Sequence, residues 1–118
     1  MNDPSCKKYF DDNFVIRHLV VSEAKGKEHL ENPGGEEFKN KYHGKNQGIP
    51  YWLIFDKNGA ILTDSRIRKA GESEAEGDNC GCPAQDNEVE FFITVLRKVT
   101  SLNDAALELI TKRFLKNK

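Results

Sequence analysis

Apolar residues recur along this chain at more than one spacing, and each spacing predicts an element. From Phe14 to Glu23 (FVIRHLVVSE) they are β-branched and nearly continuous, which predicts a strand. The run Leu19-Val20-Val21 within it predicts burial on both faces, as in a parallel sheet. YWLIFD (51–56) predicts a second strand, and AILTDSRI (60–67) predicts the strand returning antiparallel to it. Lys57-Asn58-Gly59 between them reads as a hairpin turn, with Asn-Gly supplying positive φ. Helical spacing takes over at Val89, Phe92, Ile93, Leu96 and Val99, in a helix capped by Asp86 with Glu88 and Glu90 near its N-terminus. A last helix starts at Asn103-Asp104 and carries Leu107, Ile110 and Phe114 on one face.

Two shorter helices complete the pattern. One covers residues 4–11, opened by Asp3-Pro4, with Cys6 and Phe10 one turn apart and Tyr9 beside them. The other covers Glu36–Gly44, with Phe38 and Tyr42 on one face and Gly44 as its stop. Ala24–Gly35 is a loop punctuated by Asn-Pro and Gly-Gly. Residues 68–85 form a long polar loop, of the kind that is often functional or mobile. The element order is α-β-α-β-β-α-α without internal repeats, an α/β class chain.

Composition narrows the function classes. At 118 residues the chain is one domain, long enough to bury a core without staples. Its net charge of −1 gives no electrostatic case for nucleic acid or an anionic membrane. No apolar run approaches the ~20 residues that span a bilayer. Met1-Asn2-Asp3-Pro4 leads into a charged segment, so no signal peptide is expected in this chain. The three cysteines, Cys6, Cys80 and Cys82, make a poor disulfide framework and contain no CxxC. His18, His29 and His43 are scattered and no four-ligand zinc pattern occurs, so neither a metal site nor a cofactor is expected.

Candidate chemistry gathers at two places. Pro50 stands directly before the most apolar strand, where proline is tolerated because it donates nothing to the ladder. In its plain role it is a rigid start to that strand, with a trans peptide bond like most X–Pro bonds. Cys80-Gly81-Cys82 carries two thiols just before a helix N-terminus, where thiolates are favoured, and a disulfide closed within so short a loop is strained and oxidising. In their plain role they are two loop cysteines. Cys6 reads as a small buried hydrophobe, His18 as a core histidine and Trp52 as core packing. Tyr51, Trp52 and Phe55 offer either core or an apolar peptide surface. The acidic stretch Glu72–Asp78 reads as a solvated loop whose carboxylates, with Asn79, offer oxygen donors to a cation.

Taken together, DPSCKKYFDDNFVIRHLVV, ENPGGEEFKNKYHGKNQGIPYWLIFDKNGAIL and NCGCPAQDNEVEFFITVLRKV resemble, in order and spacing, segments of the thioredoxin-like superfamily, specifically bacterial thioredoxin-family and disulfide-isomerase-like proteins. The likeness covers nearly the whole chain, with the helix at 103–115 as a C-terminal addition. It implies a thioredoxin-like fold, a mixed sheet flanked by helices, lacking the first strand and the Trp-Cys-x-x-Cys that opens the first helix. It implies that Pro50 is a cis-proline and that Ile49, Pro50 and Tyr51 line a groove for an extended peptide or a protein thiol/disulfide substrate. Cys6 lies past the CxxC position, so no family nucleophile is assigned. The redox-inactive reading follows; the alternatives are a non-catalytic peptide- or protein-binding module, or a swapped dimer or fragment with Cys80 and Cys82 as a secondary redox pair.

The absent strand would lie between segments 14–22 and 51–56. One of three repairs is therefore expected: a longer natural protein, direct pairing of 14–22 with 51–56, or a homodimer in which two copies fill each other's slot. Relatives are often exported to the periplasm, where disulfide chemistry is useful.

Overall fold

The computed structural model describes all of residues 1–118. In chain order it contains α1 (Lys7–Asn13), a 3-10 turn (Glu28–Leu30), α2 (Gly35–Lys41), β1 (Leu53–Phe55), β2 (Ile61–Asp64), β3 (Arg66–Ile67), β4 (Asp78–Asn79), α3 (Asp86–Val99) and α4 (Asp104–Leu115). Helices and small antiparallel sheets are thus mixed in one chain, an α/β architecture. No helix is long and apolar enough to cross a membrane.

The core belongs to the helices. α3 buries Val89, Phe92, Val95 and Leu96, and α4 buries Ala106, Leu107, Ile110 and Phe114. Cys6 and Phe10 close this cluster from the α1 side, each at most 2% exposed. The Phe10 ring lies 6.1 Å from Phe92 and 6.2 Å from Phe114. Capping explains the helix starts. Asn103 Oδ1 accepts from the Ala106 amide at 2.9 Å, as a good N-cap should. The α3 cap falls on Gln85, one residue before the expected Asp86, because Glu88 Oε2 turns back to accept the Gln85 amide at 3.0 Å. At the other end, Asp3 holds a turn rather than a helix cap. Its carboxylate accepts from Ser5 and from Arg113 Nε at 2.6 Å, and α1 begins only at Lys7.

β1 and β2 form the expected antiparallel hairpin, with Leu53 opposite Asp64 and a register shift between Ile54 and Phe55. Asp56 Oδ1 accepts the amides of Asn58 and Ala60 at 2.8 and 3.0 Å. Gly59, at φ 83°, provides the left-handed position of the turn and Asn58 does not. The returning strand is interrupted at Ser65. It continues as β3, which pairs antiparallel with β4 through Arg66–Asn79 and Ile67–Asp78. The predicted loop 68–85 therefore returns to the sheet instead of running free. α2 is fixed over β1 by an aromatic triangle, in which Phe38, Tyr42 and Phe55 have ring centroids 5.1–5.9 Å apart.

The Phe14–Glu23 segment corrects the largest expectation. It is extended but has no strand partner, and both sheets are two-stranded and antiparallel, so neither a parallel pair nor a mixed sheet is present. The direct pairing of 14–22 with 51–56 does not occur. Val15 is 81% exposed and Leu19 49%, and His18 is exposed rather than a core histidine. Local ties hold the segment instead. Phe14 and Ile16 rest against the helical core, and the Val20 amide and carbonyl exchange hydrogen bonds with Asn32 at 2.7 and 2.9 Å. Val21 abuts Gly35, where any Cβ would stand 2.9 Å from Val21 Cγ1.

Candidate functional site

The two sequence candidates meet in space. The β3–β4 pairing carries the chain back across the start of β1, so the Cys80-Gly81-Cys82 loop lies against the Ile49–Pro50 corner, whose peptide bond is cis. Asn79 is the clasp. Its Nδ2 donates to Gly48 O at 2.8 Å and to Pro50 O at 2.9 Å, and its Oδ1 accepts the Gly81 amide at 3.0 Å. Its backbone amide donates to Gln47 Oε1 at 3.1 Å. Trp52 Nε1 donates to Gly81 O at 3.0 Å, and the Cys80 amide to Ser65 O at 2.8 Å. Gly81 sits at φ 60°, and a Cβ there would come to 3.7 Å from Pro50 Cδ, so the loop is in van der Waals reach of the corner.

Ile49, at 56% exposed, and Pro50 present an open surface, whereas Tyr51 turns inward and donates its hydroxyl to Tyr42 O at 2.7 Å. Of the three candidate residues, the first two thus have exposed side chains. Ser65 bonds to Trp52 on the hairpin side, and alternation then turns the backbone groups of Leu53 and Phe55 away from β2. That edge of β1 has no strand partner.

All three cysteines are free. Cys6 is buried among aromatic rings and serves packing. Cys80 is half-buried, and Cys82 is exposed with Asn117 Nδ2 3.9 Å from its sulfur. Burial, and after it the field of the Glu88 carboxylate, pushes the Cys80 thiol up to about 11. The helix N-terminus does not reverse this, contrary to the sequence expectation. Glu88 Oε2 already accepts the Ala84 and Gln85 amides, and its charge opposes a thiolate nearby.

At the junction of β2 and β3 lies a charged cluster that the sequence pattern did not single out. Asp64 accepts from Arg66 Nη2 and Arg68 Nη2, both at 2.8 Å, and the two arginines also donate to Glu74 O. The Arg66 side chain is fully buried and its Nη1 has no hydrogen-bond partner. Burial opposes the Asp64 carboxylate, but the hydrogen bonds from Arg68 and Arg66 outweigh it and hold its pKa below the ordinary value. Lys39, on α2, is buried and donates to Gln47 O at 2.7 Å. The arginine contacts to Asp64 and Glu74 O hold the first part of the loop that carries Cys80. In the acidic stretch 72–78, Glu72 and Glu76 bond to Lys69 and Ser73, and no group of three His, Cys, Asp or Glu residues is arranged to hold a metal ion. Asn79, offered as a cation ligand by the sequence, is committed to the Pro50 corner. The one signal for that role was its position directly before Cys80.

No protein-family model, curated protein or solved structure matches this chain.

Proposed function

We propose that this chain is a thioredoxin-like domain that holds an extended thiol- or disulfide-bearing segment of a peptide or protein at the Ile49–Pro50 corner and does not itself turn over disulfides at neutral pH. The observation that carries this reading is the clasp of Asn79, which sets two free thiols against an exposed corner beside the unpaired edge of β1. An extended peptide adds to such an edge through backbone hydrogen bonds, with alternate side chains supplying selectivity. The lack of turnover rests on the absence of any CxxC, and Cys80 adds to it. With its pKa near 11, it is overwhelmingly protonated at neutral pH and is a slow partner in exchange.

A second reading is favoured by the presence of both thiols in one tripeptide. In it the Cys82 thiolate attacks a substrate disulfide and releases one substrate thiolate. Cys80, deprotonated, then attacks the mixed disulfide, closing Cys80–Cys82 and releasing the second substrate thiol. A dithiol reductant returns the pair to the free state.

Insulin disulfide reduction with dithiothreitol separates the two. No acceleration by the wild type, together with saturable binding of an extended cysteine-containing peptide that Ile49→Asp weakens, is the expected result. Acceleration by the wild type that is lost in Cys80→Ser/Cys82→Ser establishes the second reading.

A further inference from the structure

We propose that Arg66 and Arg68 form a binding site for a carboxylate, entered by displacement of the segment that joins β3 to β4. The observation that carries it is the Arg66 guanidinium. Its side chain is 0% exposed, and its Nη1 has no hydrogen-bond partner. Buried polar groups are normally paired, and an orphaned charged donor is costly. The other donors define what is missing. Nε and Nη2 form one edge of the guanidinium, and both donate to Asp64 Oδ2, at 3.2 and 2.8 Å. Nη2 and Nη1 form the next edge. There Nη2 donates to the backbone oxygen of Glu74, and Nη1 meets no acceptor. A single carbonyl oxygen thus occupies an edge with two donors, whereas a carboxylate presents two oxygens that match such a fork.

Arg68 supplies the second half of the site. Its Nη2 donates to the same Glu74 oxygen at 2.6 Å and to Asp64 Oδ2 at 2.8 Å. Glu74 O therefore bridges two guanidiniums and stands where one oxygen of a bound carboxylate would lie. The other oxygen would face Arg66 Nη1. Charge points the same way. Two arginines share one carboxylate, that of Asp64, so the hydrogen-bonded cluster carries one net positive charge. A monoanion neutralises it, whereas a dianion such as phosphate would add a second negative charge beside Asp64. The Glu74 side chain does not complete the cluster from within. It is exposed, where solvent screens its field, and only its backbone oxygen accepts from the arginines.

The way in is the segment 68–77. Gly71 and Gly77, at φ 87° and 101°, stand on either side of Glu74. The side-chain ties of the segment's own polar residues are local, Glu72 to the Lys69 amide and Ser73 to Glu76. Its hold on the cluster is through carbonyls: Glu74 O accepts from both arginines, and Ser73 O accepts from Arg68 Nε at 3.2 Å. A carboxylate that takes the Glu74 position leaves these carbonyls to water. The site shares no residue with the Ile49–Pro50 corner and does not rest on the peptide reading.

The test is an NMR titration of the isotope-labelled full chain at neutral pH, read at the Arg66 Nε–H and at the Glu74 amide. Sodium acetate is compared with sodium chloride at equal ionic strength, and N-acetylalanine with its amide, which lacks only the carboxylate. Saturable shifts are expected with the two acids and not with chloride or the amide. Either acid supports the proposal, and the tighter of the two tells whether a free small acid or a chain terminus is the better ligand. Arg68→Gln, at a side chain 26% exposed, removes one guanidinium and leaves the Arg66–Asp64 pair in place. It should weaken acid binding about tenfold or more, the worth of a charge-assisted hydrogen bond, with unchanged circular dichroism. The absence of a saturable response to either acid overturns the proposal. So does an equal response to chloride or to the amide, or undiminished affinity for the acids in folded Arg68→Gln.

Discussion

Asp64 is the residue on which the charge balance of the site turns. It is the single acidic partner hydrogen-bonded to Arg66 and Arg68, and the Arg66 side chain is wholly shut off from water. Removing one partner of a buried pair strands the other, which costs more than the pair was worth. Asp64→Asn is therefore expected to lower unfolding free energy by about 3 kcal/mol, read by urea denaturation at neutral pH. The pH profile should carry the same signature. Because the folded pKa is depressed, the stability Asp64 contributes is present above its unfolded value of 3.8 and is lost as pH falls through the folded value. Asp3, lowered by its hydrogen bonds from Ser5 and Arg113, shares that acid limb, so Asp64→Asn should flatten it without abolishing it. Cys80 acts at the opposite end. Its pKa is raised, so its contribution is full below 9.0 and is lost as pH rises through about 11. An acid limb of unchanged steepness in Asp64→Asn would show that the carboxylate is not the coupled group.

At the scale of elements, the two-residue pairing of β3 with β4 decides where the thiols lie. Asn79 ends β4 and supplies three of the bonds that hold the Cys80 loop to the corner. Asn79→Ala should cost about 1–2 kcal/mol, the worth of one or two net hydrogen bonds. More tellingly, it should make Cys80 more accessible. Iodoacetamide at mildly alkaline pH is expected to label Cys82 well before Cys80 in the wild type, and the lag should shrink severalfold in Asn79→Ala while Cys82 labelling stays the same. Equal lags in the two proteins would mean that the clasp does not hold the loop. This geometry was not legible in the sequence, because a pairing of two residues carries no periodic pattern. The longer elements were legible for the opposite reason. α4 repeats its apolar positions over three turns, and Asn103 marks its start. Phe14–Glu23 shows the limit of that logic: β-branched residues specify an extended backbone, but the partner strand depends on chain elsewhere. Leu19 and Val20 thus looked buried and stand exposed.

Across the whole molecule, stability is unevenly distributed. The eight-residue core cluster is drawn from Cys6 and Phe10, from α3 and from α4, with no member from any strand. The hairpin and α2 are held instead by the Phe38–Tyr42–Phe55 triangle, in which Phe38 is itself 38% exposed. Trp52 is the main bridge between the two regions, packing edge-on to Phe92 at 5.7 Å and stacking on Phe91 at 6.2 Å. Elements with few buried apolar groups open at lower free energy than the core they lean on. Native-state hydrogen exchange in increasing low denaturant should therefore show two classes of amide. Those of Val89–Leu96 and Leu107–Phe114 should exchange only through global unfolding. Those of α2 and the β1–β2 hairpin should exchange through a smaller opening that is less sensitive to denaturant. Trp52→Phe, which loses the Nε1 bond to Gly81 and part of the ring contact, should widen the gap by lowering the second class more than the first. A single class across both regions would show that the strands and helices unfold as one unit. The Ile49–Pro50 corner would then be as rigid as the helical core, and the proposed peptide binding there would have to proceed without local opening.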